Sequence, residues 1–206
     1  VIDLRQEDLF SEDCRFPNWP FGDLEPGAYS LAMIDPAWRF RTFSEKGCGK
    51  SPQAKYRTMT MDEIAALPVK DLAHKDGMLL WMWCTAPGIQ QQIRILEDWG
   101  FKFVTSGAWV KTTKNGKVGF GTGYVLRGAH ELFLIGKIGR IRTQSKSVRS
   151  AILARAREHS RKPDEAYEMA RQLIPFGRAA DVFSRETRPT WESFGDQAGM
   201  FDEASA

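Results

Sequence analysis

The sequence predicts an α/β fold, a mostly parallel sheet with helices on both faces. Three observations carry this reading. Short apolar runs recur along the chain, segments with helical apolar spacing separate them, and the first run stops at a proline that cannot continue a strand. The chain has 206 residues, 42% hydrophobic and 27% charged, which suits a single domain (1–206) able to bury its own core.

Taken in order, Ser30–Ile34 reads as a buried strand that ends at Asp35-Pro36. Thr60 and Glu63 have the spacing of a capping box, so a helix starts there, buries Ile64 and Leu67, and ends at Pro68. Met78–Cys84 is a second strand. Thr85 is expected to cap a helix carrying Ile89, Ile93 and Leu96, which Gly100 stops. Phe103–Val110 is a third strand, interrupted by Ser106 and Gly107, and Glu131–Ile135 a fourth. Pro163 opens a helix with Asp164 and Glu165 in its first turn and Ala166, Ala170 and Leu173 on its inner face. Ala180–Phe183 and Trp191–Phe194 close the series. In such sheets ligands bind outside the carboxyl ends of the strands. Two stretches without apolar periodicity, 39–57 and the glycine-rich 112–128, are expected to be active-site loops.

Several classes drop out. The longest apolar run, Met78–Cys84, is far shorter than the roughly 20 residues that span a bilayer, and no charged-then-apolar leader opens the chain. Cys14, Cys48 and Cys84 form no CxxC pair, and His74, His130 and His159 have no metal spacing. The expectation is an intracellular, cytoplasmic protein without a metal site or membrane partner. Gly49-Lys50-Ser51 lacks the leading glycine of a phosphate loop, and no G-x-S-x-G nucleophile elbow occurs.

The net charge of +3 is unevenly spread. Residues 1–27 carry −5, residues 39–57 carry +5, and residues 137–162 carry nine Lys/Arg against Glu158, a net +8. Two basic blocks suit a polyanion such as nucleic acid, or simply a solvated basic face.

The string Ile34-Asp35-Pro36-Ala37-Trp38 sits at a strand end before a basic loop. Methylating an exocyclic amine of a nucleobase requires acceptors for its N–H groups, because the nitrogen lone pair is delocalised into the ring. It also requires an aromatic face for a flipped base. Asp35, the Pro36 carbonyl and Trp38 could supply these parts. The same string also suits a plain strand-to-turn transition with a core tryptophan.

Further strings share this order along the chain: Tyr56-Arg57-Thr58-Met59, Leu79–Trp83, Trp109-Val110-Lys111-Thr112, Gly123–Glu131, Ser160–Glu165, Asp181–Arg185, Pro189-Thr190-Trp191 and Gly195-Asp196-Gln197. Together, over about residues 29–200, they resemble the MT-A70 family of DPPW-type adenine-N6 methyltransferases that use S-adenosyl-L-methionine, a small bacterial or phage-like member. The resemblance implies a Rossmann-like methyltransferase fold and N6-methylation of adenine in DNA. RNA adenine, or a non-catalytic nucleic-acid-binding partner subunit, are the alternatives. It places Asp35, Pro36, Ala37, Trp38 and Tyr56 at the reacting centre. It also puts Asp35 near the cofactor ammonium, Lys111 near its carboxylate, Arg185 (held by Asp181) on the ribose side, and Asp196 and Gln197 on the ribose hydroxyls. Asp13, Cys14, Asn18 and Trp19 are candidates for the cofactor's adenine. Two positions depart from the family pattern: Ala37 stands where a second proline is usual, and Asp196 where asparagine is usual.

For nucleic acid, the expected contacts are Arg39, Arg41, Lys46, Lys50, Lys55 and Arg57 from the first block and Arg140, Arg142 and Lys146 from the second. Reading Glu131–Ile135 as another parallel strand puts both blocks beside one cleft. Propensity favours helix over residues 149–159, whereas the resemblance makes Ala151–Ala154 extended, and the extended reading is preferred.

Overall fold

A computed structural model describes residues 19–39, 58–123, 125–158 and 160–202. In chain order these form β1 (Tyr29–Ile34), α1 (Met61–Ala65), a 3-10 turn (Val69–Leu72), β2 (Gly77–Cys84) and α2 (Ile89–Asp98). There follow β3 (Lys102–Thr112), β4 (His130–Gly139), β5 (Ala151–Arg155), α3 (Asp164–Leu173), β6 (Arg178–Val182) and β7 (Glu192–Phe194). The strands build one sheet in the order β5-β3-β4-β2-β1-β6-β7. Pairing is parallel except where β4 meets β2 and β3. Six strands therefore share one direction and β4 alone opposes them, a mixed α/β sheet of the Rossmann-like methyltransferase kind.

Every residue of β2 is buried, which explains its uninterrupted apolar run: a central strand is covered on both faces. Its alternating side chains feed two cores. Leu79, Trp81 and Trp83 join Leu31 and Met33 under α3, where Ala166 and Ala170 let the helix approach closely. Met78, Leu80 and Met82 join Ala32 and Ile34 on the opposite face, against Ile64 of α1 and Ile95 and Leu96 of α2. Each such large side chain contributes on the order of 1.5–3 kcal/mol on burial. Trp81 stacks on Phe133 with ring centroids 4.0 Å apart, tying β2 to β4.

The capping box forms as the spacing requires. Thr60 accepts from the Glu63 N–H, and Glu63 accepts from the Thr60 N–H at 2.7 Å. Thr85 behaves differently from the expectation. A 3-10 turn (Ala86–Gly88) intervenes before α2, and Thr85 makes no side-chain cap bond. Its N–H instead donates to Gln92 Oε1, and its hydroxyl accepts from Gln92 Nε2, both at 3.0 Å. This reciprocal pair allows Gln92 to be fully buried. Ala151–Arg155 is a strand, as the extended reading held. Ile152 and Ala154 alternate inward in register with β3, and that burial outweighs helix propensity.

The direction of β4 corrects a premise. Gly139 pairs with Gly77, and the Arg140 N–H donates to Asp76 O at 2.7 Å. Arg140, Arg142 and Lys146 thus follow β4 to the amino end of β2, opposite the end that carries Asp35. The expectation that they flank the same cleft fails. The cause is the connection: β3 and β4 are joined without a helical crossover, which forces them antiparallel. β5 then runs back, and only the 156–162 part of the second basic block returns to the Asp35 end.

Candidate active site

The site assembles at the carboxyl ends of β1, β2 and β6, together with the amino end of β4. Asp35 follows β1 directly, and its N–H still donates to Val182 O of β6 at 3.2 Å. The chain then turns sharply. The Trp38 N–H donates to the Pro36 carbonyl at 2.7 Å, and the Met59 N–H donates to the Ala37 carbonyl at 2.9 Å. The Pro36 carbonyl is therefore already used once by its own chain, and its second lone pair is what it can offer a ligand. Trp38 is 4% exposed within a core cluster, and its indole N–H donates to Trp83 O at 3.0 Å. The core-tryptophan reading is the one realised: this ring pins the turn to the end of β2 and does not offer a stacking face.

Four charged groups form a chain across the site. Lys162 Nζ lies 2.8 Å from Asp35 Oδ2 and 3.0 Å from Glu131 Oε2, with the lysine only 8% exposed. Glu131 Oε1 meets Lys111 Nζ at 2.5 Å. The sequence Asp35–Lys162–Glu131–Lys111 alternates in sign and sums to zero, which is what lets four ionisable groups share a half-buried place. Trp83 and Trp109 flank the ammoniums at 5.3 and 4.8 Å from ring centroid to Nζ. Ser160, held at φ 66°, adds a hydroxyl bond to Asp35 Oδ2 at 3.3 Å. Among the described residues Asp35 Oδ1 accepts nothing, so it remains available to a ligand.

The two carboxylates are tuned in opposite directions. Burial raises the proton affinity of Asp35, with Lys162 opposing it and Glu131 adding to the rise. Glu131 also suffers from burial, but Lys162 and Lys111 overcome this and hold it down at about 2. Burial works against the Lys162 ammonium, and Asp35 and Glu131 reverse that, raising it above the usual lysine range.

A second polar layer lies beneath. Asp181, 3% exposed, accepts from the Tyr167 hydroxyl and the Ser184 hydroxyl, each at 2.9 Å. Its cation is Arg188 at 3.7 Å, so the arginine facing Asp181 is not Arg185, as the sequence reading had it. Burial pushes Asp181 up to about 7 despite these donors. Arg185 instead lies over the Phe201 ring at 4.9 Å, and its carbonyl accepts the Phe201 N–H at 3.1 Å. The cleft above this layer is lined by Asp35, Lys162, Phe183, Ser184, Arg185 and Phe201.

The remaining expected residues fall as follows. Arg39 is exposed just beyond Trp38; Asp196 is exposed and Gln197 half-buried, both just past β7 on the same rim. Trp19 is half-buried, 5.0 Å edge-to-face from Phe21, which in turn lies 5.8 Å from Phe194. Tyr56, Arg41, Lys46, Lys50, Lys55, Arg57, Asp13, Cys14, Asn18 and His159 lie outside the described residues. Sequence reasoning missed Lys162 and Glu131 as functional residues. Both stand inside strings that were matched, Ser160–Glu165 and Gly123–Glu131, so position in a motif was the available signal. Among the described residues no His/Cys/Asp/Glu group could hold a metal ion, and no helix is long and apolar enough to cross a membrane.

The donor set fits S-adenosyl-L-methionine: the negative charge of Asp35 near an ammonium, lysines for a carboxylate, and Phe183 and polar groups lining a cleft at the strand ends. The comparisons agree. The MT-A70 family profile matches residues 29–197. An N(6)-adenosine-methyltransferase MT-A70-like protein of Arabidopsis thaliana is 31% identical over 83% of this chain and 24% of its own length. The N(6)-adenosine-methyltransferase catalytic subunit METTL3 of Homo sapiens is 28% identical over 83% of this chain and 28% of its own. The type II methyltransferase M.MunI of a Mycoplasma species is 25% identical over 85% of this chain and 80% of its own. The chain thus spans about a quarter of the length of the adenosine methyltransferases it matches. With motif order, strand-end site and profile in agreement, the chain belongs to the MT-A70 family of N6-adenine methyltransferases, whose methyl donor is S-adenosyl-L-methionine.

Proposed function

We propose that this chain transfers a methyl group from S-adenosyl-L-methionine to the N6 amine of adenine in DNA. The observation that carries the reading is the Asp35–Lys162–Glu131–Lys111 charge chain, which leaves one Asp35 oxygen open at the carboxyl edge of the sheet. Asp35 Oδ1 and the second lone pair of the Pro36 carbonyl take the two N–H groups of the amine and draw its nitrogen toward tetrahedral geometry. When bound, the donor supplies a methyl carbon on a positively charged sulfur. With the donor bound, the amine lone pair would take up that methyl group and the C–S bonding pair would stay with sulfur. Asp35, whose proton affinity burial has raised, receives the proton that the methylated nitrogen sheds. Lys162 fixes the Asp35 rotamer through Oδ2. Lys111 and Lys162 face the donor's carboxylate, and Trp38 holds the turn in place.

DNA is favoured because the compact type II methyltransferase is matched over four-fifths of its length. The same chemistry on RNA adenine is the second reading, supported by the higher identity to proteins named for adenosine. Matched oligonucleotides that differ only in their 2′-hydroxyls separate the two. Methylation of the deoxy series at least about tenfold faster supports DNA, and the reverse preference overturns it.

A further inference from the structure

We infer that the β3–β4 hairpin, described at residues 113–123 and 125–129, is a wedge that enters a nucleic-acid duplex beside the base being methylated; this rests on the nucleic-acid reading above. The hairpin is rooted at the reacting centre. Its first arm leaves Lys111 and its second returns to Glu131, the two groups that pair at one end of the charge chain. The arms are stitched by backbone bonds. The Lys111 N–H donates to Ala129 O at 2.8 Å, Gly119 N–H to Lys111 O at 2.6 Å, and Gly121 N–H to Gly128 O at 2.8 Å. Glycine keeps it thin: a Cβ on Gly123 would lie 2.0 Å from Leu126 O, and one on Gly128 would lie 2.6 Å from Thr122 O.

What this narrow projection displays is unusual for a solvated turn. Phe120 is 81% exposed, Val125 96% and Leu126 81%. Around them stand the exposed cations Lys114, Lys117 and Arg127, with Arg127 lying over the Phe120 ring at 5.6 Å. No aspartate or glutamate occurs between residues 112 and 130. Apolar tips interleaved with cations and free of acids complement a polyanion whose interior is apolar, which describes stacked bases between phosphates. Apolar side chains inserted at a base step unstack and kink the duplex. A base must leave the stack to reach Asp35, so a wedge at this root fills the gap it leaves.

The test compares one DNA in two forms. The full chain is incubated with S-adenosyl-L-methionine and either intact plasmid duplex or the same DNA denatured, and N6-methyladenine is measured by mass spectrometry. Phe120→Ser combined with Leu126→Ser should lower duplex methylation about tenfold and denatured-strand methylation less than twofold, because only the duplex requires unstacking. Equal loss on both forms, no loss on either, or a wild type active only on denatured DNA overturns the wedge. Equal loss accompanied by a drop in sedimenting mass assigns the apolar tip to a second protein chain instead. No methylation of either form by the wild type overturns the DNA reading, and the wedge with it.

Discussion

Both ends of the sheet carry cations among the described residues, and the two ends differ in what those cations do. At the carboxyl end, Lys111 and Lys162 are drawn inward and paired with Asp35 and Glu131. At the amino end, Arg140, Arg142 and Lys146 are all exposed along the 140–150 connection, away from any cleft that Asp35 lines. Sequence charge counts one basic block from 137 to 162. The fold cuts it in two, because β5 carries the chain from one end of the sheet to the other. Charge density along a chain therefore locates a site only after strand direction is known.

The largest expected effect is at Asp35. Asp35→Asn removes the open anionic acceptor and should lower methyl transfer about 10²- to 10³-fold, the scale of losing one preorganised polar contact to the reacting group. Its effect on stability should have the opposite sign. The folded proton affinity of Asp35 is raised, so its stabilising contribution is present below the unfolded carboxylate range and is lost as pH rises. Near pH 7 the asparagine variant should melt no lower than the wild type in a thermal scan.

Lys162→Met comes next. It leaves two carboxylates facing each other without their shared ammonium. Breaking a buried pair costs about 3–5 kcal/mol, and here the lower end applies because the carboxylates are about a quarter exposed. Urea unfolding measures the loss, and calorimetric titration with S-adenosyl-L-methionine should show weakened binding in the same variant. Unchanged values in both would remove Lys162 from the site.

Glu131 sharpens the contrast between the two carboxylates. Its proton affinity is lowered, so its contribution is present above the unfolded value of 4.5 and is lost as pH falls toward 2. A loss of about 1–2 kcal/mol across that window is expected once partial exposure is allowed for. Glu131→Gln should flatten that limb of the stability–pH curve. The smallest effect belongs to the amino end. Changing Arg140, Arg142 and Lys146 together to glutamine should alter duplex affinity and methylation less than about twofold, since exposed charges beyond a Debye length are screened. A large loss would bring nucleic acid to the far end of the sheet.

Much of this was legible in the sequence. The Thr60/Glu63 spacing fixes the start of α1, and the apolar run of β2 announces a central strand because both of its faces are covered. Asp35 was legible because a carboxylate directly after an apolar run must sit at a strand end. The direction of β4 was legible in principle too: no helical spacing separates Val110 from Glu131, and a connection without a helix returns antiparallel. Three features were not legible. Whether Trp38 turns inward depends on Trp83 O, 45 residues away in the chain. The exchange of Arg188 for Arg185 opposite Asp181 depends on how the chain bends after Phe183, which adopts a positive φ of 63°. The pairing of Lys162 with both Asp35 and Glu131 joins three distant segments, and no local pattern records it.

In the proposed reaction the carboxyl-end charge chain serves adenine methylation and Asp35 is the acceptor. The most direct test uses methyl-labelled S-adenosyl-L-methionine with DNA, followed by mass spectrometry of the digested nucleosides, on the wild type and Asp35→Asn at matched melting temperature. Labelled N6-methyladenine is expected from the wild type, and at most about one part in a hundred of that from the variant. Equal label from both proteins, or label on a base other than adenine, would contradict this reading.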